Sequence, residues 1–141
     1  LRCHNIYMLF KMKQIEVVAA IIKHGKSYLA TQRGYGEFES LWEFPGGKIK
    51  CNESKEEALK REIKEELNIN INIIQQLCTI EHTYPRFHLK MHCFICSIAS
   101  GTIELIEHKS AKWLTENELE SVEWLPADEV AISQLLKLDL Q

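Results

Sequence analysis

Glu62, Glu65 and Glu66 fall within little more than one turn of the segment KEEALKREIKEEL. At 3.6 residues per turn, Glu62 stands one turn before Glu66, with Glu65 beside them. Like charges at i,i+4 repel on a helix surface, so the grouping costs free energy unless something offsets it. Leu59, Ile63 and Leu67 form an apolar stripe; Glu66 sits at its edge and Glu62 slightly further out. Partly desolvated carboxylates raise one another's pKa unless a cation neutralises them. Hard oxygen ligands grouped in this way suit Mg2+, or Mn2+ as a second choice, and such ions keep waters and bind substrate phosphates. The alternative is a plain solvated helix, because Lys55, Lys60 and Lys64 interleave with the acids.

Gly46 and Gly47 follow Pro45 just ahead of this helix. They predict a strand-to-helix turn whose backbone approaches a ligand closely, offering a carbonyl to a metal or amides to a phosphate. A double glycine by itself marks only a turn; combined with acids at fixed offsets it marks something narrower. The stretch resembles the Nudix box, G-x5-E-x7-R-E-U-x-E-E-x-G-U with U aliphatic. Gly47 opens it, Glu53 follows after five residues, and Arg61, Glu62 and Ile63 follow after seven more. Lys64, Glu65, Glu66, Leu67, Asn68 and Ile69 complete it. Asn68 stands where the family has glycine, and asparagine is the best other residue for a left-handed helix cap. IEVVAAII, ATQR, LWEFPGGKI, EHKSAKW and LPAD fall in order as in the MutT-like branch, which includes CTP pyrophosphohydrolases. The resemblance covers roughly residues 14–138.

The resemblance implies an α+β fold, an α/β/α sandwich whose mixed sheet is covered by the Nudix-box helix and a C-terminal helix. It also implies Mg2+-dependent hydrolysis of a nucleoside triphosphate to a monophosphate and pyrophosphate. The implied substrates are 8-oxo-dGTP or cytidine nucleotides (CTP, dCTP), in a house-cleaning role linked to DNA repair. In that scheme Glu62, Glu65 and Glu66, with the Gly46 carbonyl, hold the metal. Arg61 orients the carboxylates or offsets their repulsion, and Glu53 starts the helix, assists Arg61 or takes part in catalysis. Glu107, six residues before Trp113, matches a loop glutamate that approaches the metals and acts as general base; read without the resemblance it is a solvated loop side chain.

The nucleotide pocket is drawn from more scattered residues. Arg33 reaches phosphate or nucleoside, or ends a strand in solvent. Gly46 and Gly47 approach the phosphates. Phe44 packs against the base or joins the core. Asp128 stands where MutT carries an asparagine; it reads a base edge presenting N–H groups, since an ionised aspartate only accepts hydrogen bonds, or it charges the first turn of the last helix. His82 and His108 read as surface residues. Two other readings stay open: hydrolysis of a nucleoside diphosphate conjugate of the ADP-ribose type, and a non-catalytic nucleotide sensor. Such sensors often lose box glutamates, and all are present here.

Several elements must position these residues. QIEVVAAII predicts a nearly continuous apolar strand and KSYLATQR a second one after the turn KHGK. LWEFPGG is a short strand broken by Pro45 and the glycines. Ser54 and Glu57 fit a capping box at the helix start. INIIQQLCTIEHTY and RFHLKMHCFICSI predict paired strands joined near Pro85. In the second, Phe87, Leu89, Met91, Cys93 and Ile95 share a packed face. Arg86, His88, Lys90 and His92 share one that stays wet or lines a groove. GTIELIEHKSAKWLT predicts strand, loop, strand; TENEL starts a short helix, and PADEVAISQLLKL a last one with Pro126 in its first turn.

The 141 residues suit one domain, with residues 1–11 as a loose extension, Met12 as a candidate natural start, and residues 12–141 as the catalytic domain. A net charge of −3 gives no electrostatic footprint for a nucleic acid polymer or an acidic membrane. It leaves room for a nucleotide whose charge a cation offsets. No apolar run approaches the roughly 20 residues of a membrane span, and the first residues lack a signal-peptide pattern. The expectation is a cytoplasmic monomer or homodimer. Five cysteines form no paired framework; Cys93 and Cys96 of CFIC fall on opposite strand faces and read as reduced, mostly buried thiols.

Overall fold

A computed structural model describes residues 12–139. Its first strand, β1 (Lys13–His24), is apolar without alternation from Val17 to Ile22. Such a strand must be covered on both faces. Val18, Ala20 and Ile22 pack with Leu59, Ile63 and Leu67 of α1 (Lys55–Leu67) on one side. Ala19 and Ile21 join Ala127, Ala131 and Leu135 of α2 (Pro126–Asp139) on the other. The result is the expected α/β/α sandwich.

The sheet is mixed. β1 runs parallel to β6 (Phe87–Ser100) from Lys13↔Phe87 to Ile22↔Cys96, and β6 pairs antiparallel with β5 (Asn70–Thr83). On its other edge β1 pairs antiparallel with β4 (Gly46–Lys48) across Val17–Ala19. Its end turns at Gly25, φ 61°, into β2 (Ser27–Arg33). β2 in turn pairs with β3 (Trp42–Glu43) and β7 (His108–Thr115), and a 3-10 helix (Glu116–Ser121) leads on toward α2. Among the described residues no helix is long and apolar enough to cross a membrane. The extension expected over residues 1–11 lies outside them.

Helix α1 begins and ends where its caps dictate. The Ser54 hydroxyl accepts from the Glu57 N–H at 3.0 Å, one of the orphan donors of a first turn. Asn68 adopts φ 55°, ψ 38° and donates its N–H to the Lys64 carbonyl, doing at this position what glycine usually does.

Three expectations need correction. Gly46 and Gly47 are not in a turn but in β4, hydrogen-bonded along β1. Residues 102–106 form no strand: the Glu104 and Ile106 N–H groups donate to the Leu67 and Glu66 carbonyls at 2.9 and 3.1 Å, so the segment satisfies the end of α1 instead of extending the sheet. The polar face of β6 is not simply wet either. His92 is buried, held by Glu16 at 2.5 Å and Thr79 at 2.9 Å, because a strand between two neighbours finds partners on both. The apolar residues Phe87, Leu89 and Met91 line the cleft instead. The cysteine alternation holds: Cys93 enters the α2-side core and Cys96 the α1-side core, while Cys78 is half-buried and Cys51 exposed.

Candidate active site

The face of α1 turned toward β4 opens on a cleft of about 850 Å³. Burial follows the predicted order for Glu66 and Glu62, whereas Glu65 lies further out than expected. Glu66 is 6% exposed, while the Glu62 and Glu65 side chains are 16% and 51% exposed. Glu62 and Glu66 line the cleft with Glu107 and Glu43; Glu65, Glu53 and Arg61 are not among its lining residues.

Arg61 explains how adjacent acids hold their places. Its Nε and Nη2 donate to Glu53 at 2.6 and 2.9 Å, its Nη1 to Glu62 at 2.8 Å and Glu65 at 3.2 Å, and its Nη2 also to the Lys48 carbonyl at 2.9 Å. The fork binds Glu53 bidentately, the strong geometry for a guanidinium–carboxylate pair. Arg61 and the Lys50 N–H together hold the Glu53 carboxyl down to about 2. Glu53, bonded to Lys50 N–H at 2.9 Å, thus anchors the loop to the helix, and Arg61 fixes the Glu62 carboxylate in the cleft.

Glu66 is the opposite case. Burial first, then the charges of Glu43, Glu62 and Glu107, push its carboxyl up to about 9, against a hydrogen bond from the Gly46 N–H. Its Oε2 is buried with no hydrogen-bond partner among the described residues. A desolvated carboxylate surrounded by other acids is the environment that a cation corrects. Among the described residues no group of three or more acidic, histidine or cysteine side chains is arranged to hold a metal ion. Mg2+ does not require one, since it takes one or two carboxylates and completes its shell with water and phosphate oxygens. The orphaned Oε2 beside Glu62 fits that donor set.

The two glycines are there for different reasons. A Cβ on Gly46 would lie 1.9 Å from the Val18 carbonyl oxygen, and one on Gly47 would lie 2.3 Å from Glu62 Oε2. Gly46 lets two strands meet; Gly47 leaves room for a carboxylate. Glu107 is brought in by the segment that lies along α1, through the Ile106–Glu66 backbone bond at 3.1 Å.

At the other end, Phe44 is buried and its ring packs on Trp124 at 4.8 Å, and it also borders the cleft. Its N–H donates to Asp128 Oδ1 at 2.8 Å. Asp128 is 3% exposed; burial and then Glu43 raise its carboxyl well above the ordinary range. In this structure Asp128 acts as a buried acceptor beside the cleft, and not as an exposed charge on the first turn of the last helix. Arg33 does not end in open solvent, since its Nη1 donates to Glu43 at 3.0 Å. His108 is not a surface residue: its side chain is 5% exposed and its Nε2 lies 3.3 Å from Glu43 Oε2. His82 is half-buried against the Tyr84 ring at 4.5 Å.

Glu43 and Tyr84 are the residues that sequence reading passed over. Glu43 faces Arg33, His108, Glu66 and Asp128; the available signal was an acid inside the otherwise apolar run LWEF. Tyr84 lines the cleft and its hydroxyl accepts from the Ala127 N–H at 3.1 Å, a tie between the β5–β6 turn and α2 that no local pattern announces.

Residues 17–134 match the family model described as NUDIX domain. The chain is similar to the CTP pyrophosphohydrolase of Escherichia coli (strain K12), at 35% identity over 118 residues, 83% of this chain and 87% of that protein. It is similar to the 8-oxo-dGTP diphosphatase of Proteus vulgaris at 33% identity over 101 residues, 70% of this chain and 88% of that one. The solution structure of the E. coli ORF135 protein superimposes with a TM-score of 0.79 at 31% identity, covering 93% of this chain and 94% of that one.

Proposed function

The chain belongs to the NUDIX family, and from that premise we propose that it hydrolyses a nucleoside triphosphate to the monophosphate and pyrophosphate, acting on cytidine nucleotides or 8-oxo-dGTP. NUDIX hydrolases generally use a divalent metal, and we assign Mg2+ here. The observation that carries this reading is Glu66: buried, lacking a partner at Oε2, and set among three other acids in one cleft.

Glu62 and Glu66, with the Gly46 carbonyl, are the proposed ligands; Glu65, outside the cleft and held by Arg61 at 3.2 Å, would reach the ion only if that pair opened. The bound ion would neutralise phosphate oxygens and lower the pKa of an attacking water. Arg61 and Glu53 are positioning residues that hold Glu62 in place. Glu107 is the proposed general base, on a segment fixed to α1 through the Ile106–Glu66 bond. Arg33, steadied by Glu43, faces the phosphate tail, Gly46 and Gly47 give it close approach, and Phe44 with Asp128 bounds the base. Free cysteines and a nucleotide-sized cleft support a cytoplasmic enzyme acting on free nucleotides instead of a nucleic acid polymer.

The test is product analysis on CTP, dCTP, 8-oxo-dGTP, dGTP and ADP-ribose with Mg2+, with Glu66→Gln as control. Monophosphate and pyrophosphate from the triphosphates, lost in the variant, are the expected result. Turnover of ADP-ribose alone overturns the substrate class, and nucleotide binding with no turnover of any compound overturns the enzymatic reading.

A further inference from the structure

Cys78 on β5 and Cys93 on β6 are directly opposite partners in the antiparallel ladder. Opposed residues in such a ladder have Cα atoms roughly 4.5–5.5 Å apart, inside the roughly 4.4–6.8 Å that a disulfide spans. The two thiols share a hydrogen bond, and both are free. They differ in access, since Cys93 is fully buried and Cys78 is half-buried. Their location is not neutral. Met91, two residues before Cys93 on the same strand face, lines the cleft, and Cys93 lies near enough to Asp128 to feel its charge.

We propose that Cys78 and Cys93 form an oxidation site in which hydrogen peroxide converts the dithiol reversibly to an intrachain disulfide behind the cleft wall. The Cys78 sulfur attacks one peroxide oxygen, the O–O bond breaks, and Cys78 becomes a sulfenic acid as one water leaves. The Cys93 sulfur then attacks the Cys78 sulfur; the S–S bond forms, the S–O bond breaks, and the oxygen leaves with the Cys93 proton as a second water. Two thiols lose two electrons and one peroxide gains them. Division of labour follows from the environment. Cys78 is half-buried and is the sulfur that peroxide can reach. Cys93 is fully buried, which suits a resolving thiol that waits for a sulfenic partner. Cys96 is buried on the opposite face, its Sγ 3.6 Å from the Phe94 carbonyl, and serves as an internal control.

The experiment treats the full chain with hydrogen peroxide at neutral pH, blocks remaining thiols with N-ethylmaleimide, and maps peptides without reduction. The expected result is the loss of two hydrogens in a linked Cys78–Cys93 peptide, reversed by dithiothreitol, with Cys96 still a thiol. In Cys93→Ala, dimedone should trap Cys78 as its sulfenic acid. The wild-type map decides the matter even if that variant folds poorly. Cys78 advancing to sulfinic acid while Cys93 remains a thiol overturns the proposal, as does a disulfide formed only through Cys3 or Cys51.

Discussion

The two ends of the cleft handle buried charge in opposite ways. At the α1 end, Glu66 keeps an oxygen without a partner and faces three other acids. At the α2 end, Asp128 is just as buried but accepts from the Phe44 N–H at 2.8 Å, the neighbouring Tyr84 hydroxyl accepts from Ala127, and Phe44 packs on Trp124. One end leaves a buried carboxylate oxygen without a partner; the other ties its buried acid into the core. A cluster of like charges that the fold does not satisfy is a costly feature. It is tolerable where a ligand supplies the missing partner. The ends should therefore respond to substitution in opposite senses, activity suffering at the first and stability at the second.

The sharpest contrast comes from Glu66→Gln. If Glu66 is the metal ligand proposed above, its removal should lower kcat by about 10³-fold or more, on the scale of losing a principal electrostatic contact. The same change should stabilise the metal-free protein. A carboxyl raised from 4.5 to about 9 in the folded state makes the native protein bind more protons than the unfolded chain between those values. Stability of the metal-free protein therefore falls as pH rises from about 4.5 to about 9, by about 3 kcal/mol at pH 7. Asp128, also raised, acts in the same direction from its lower starting value. Urea denaturation at pH 5 and pH 8 should show the decline, Glu66→Gln should remove most of it, and saturating Mg2+ should reduce it. A wild-type protein more stable at pH 8 than at pH 5 without metal would mean that the acidic end is not strained.

Next in size is a comparison of neighbours. Gly47→Ala drives a methyl into the Glu62 carboxylate, the movable end of a side chain, so activity should fall about 10²-fold through a displaced ligand while the melting temperature barely changes. Gly46→Ala meets the Val18 backbone and should cost about 3 kcal/mol by forcing β4 away from β1. If Gly47→Ala lost stability and kept activity, Gly47 would belong to the fold and not to the site.

How much of this could be read beforehand follows from how local each device is. The i,i+4 acids, the Ser54 cap and the left-handed Asn68 are set by residues a few positions apart, and their burial order came out as the helical stripe predicts. Wholly apolar β1 announced coverage on both faces. What escaped were features made by distant segments. Glu43 meets Arg33 across a strand pair and His108 across 65 residues of chain, and Tyr84 meets Ala127 across 43. The segment 102–106 has a strand-like composition, yet the free carbonyls at the end of α1 captured it. Local pattern cannot report a competition between two partners for the same N–H groups.

The smallest effect expected belongs to Asp128, and it tests the contrast from the quiet side. Burial and then the Glu43 charge raise the Asp128 carboxyl, so Asp128→Asn removes only a charge that this environment disfavours. An asparagine Oδ1 can still accept from the Phe44 N–H. Stability at neutral pH should change by less than about 1 kcal/mol, since no buried partner is stranded. Asp128→Ala strands that N–H and should cost about 1–3 kcal/mol. With kcat nearly constant, the kcat/KM ranking of CTP against 8-oxo-dGTP should move by no more than about tenfold, the scale of one rearranged hydrogen bond. A loss of kcat in Asp128→Asn as deep as that in Glu66→Gln would mean that the buried acid beside Phe44 carries charge during turnover, and the two ends of the cleft would then work by the same electrostatic principle.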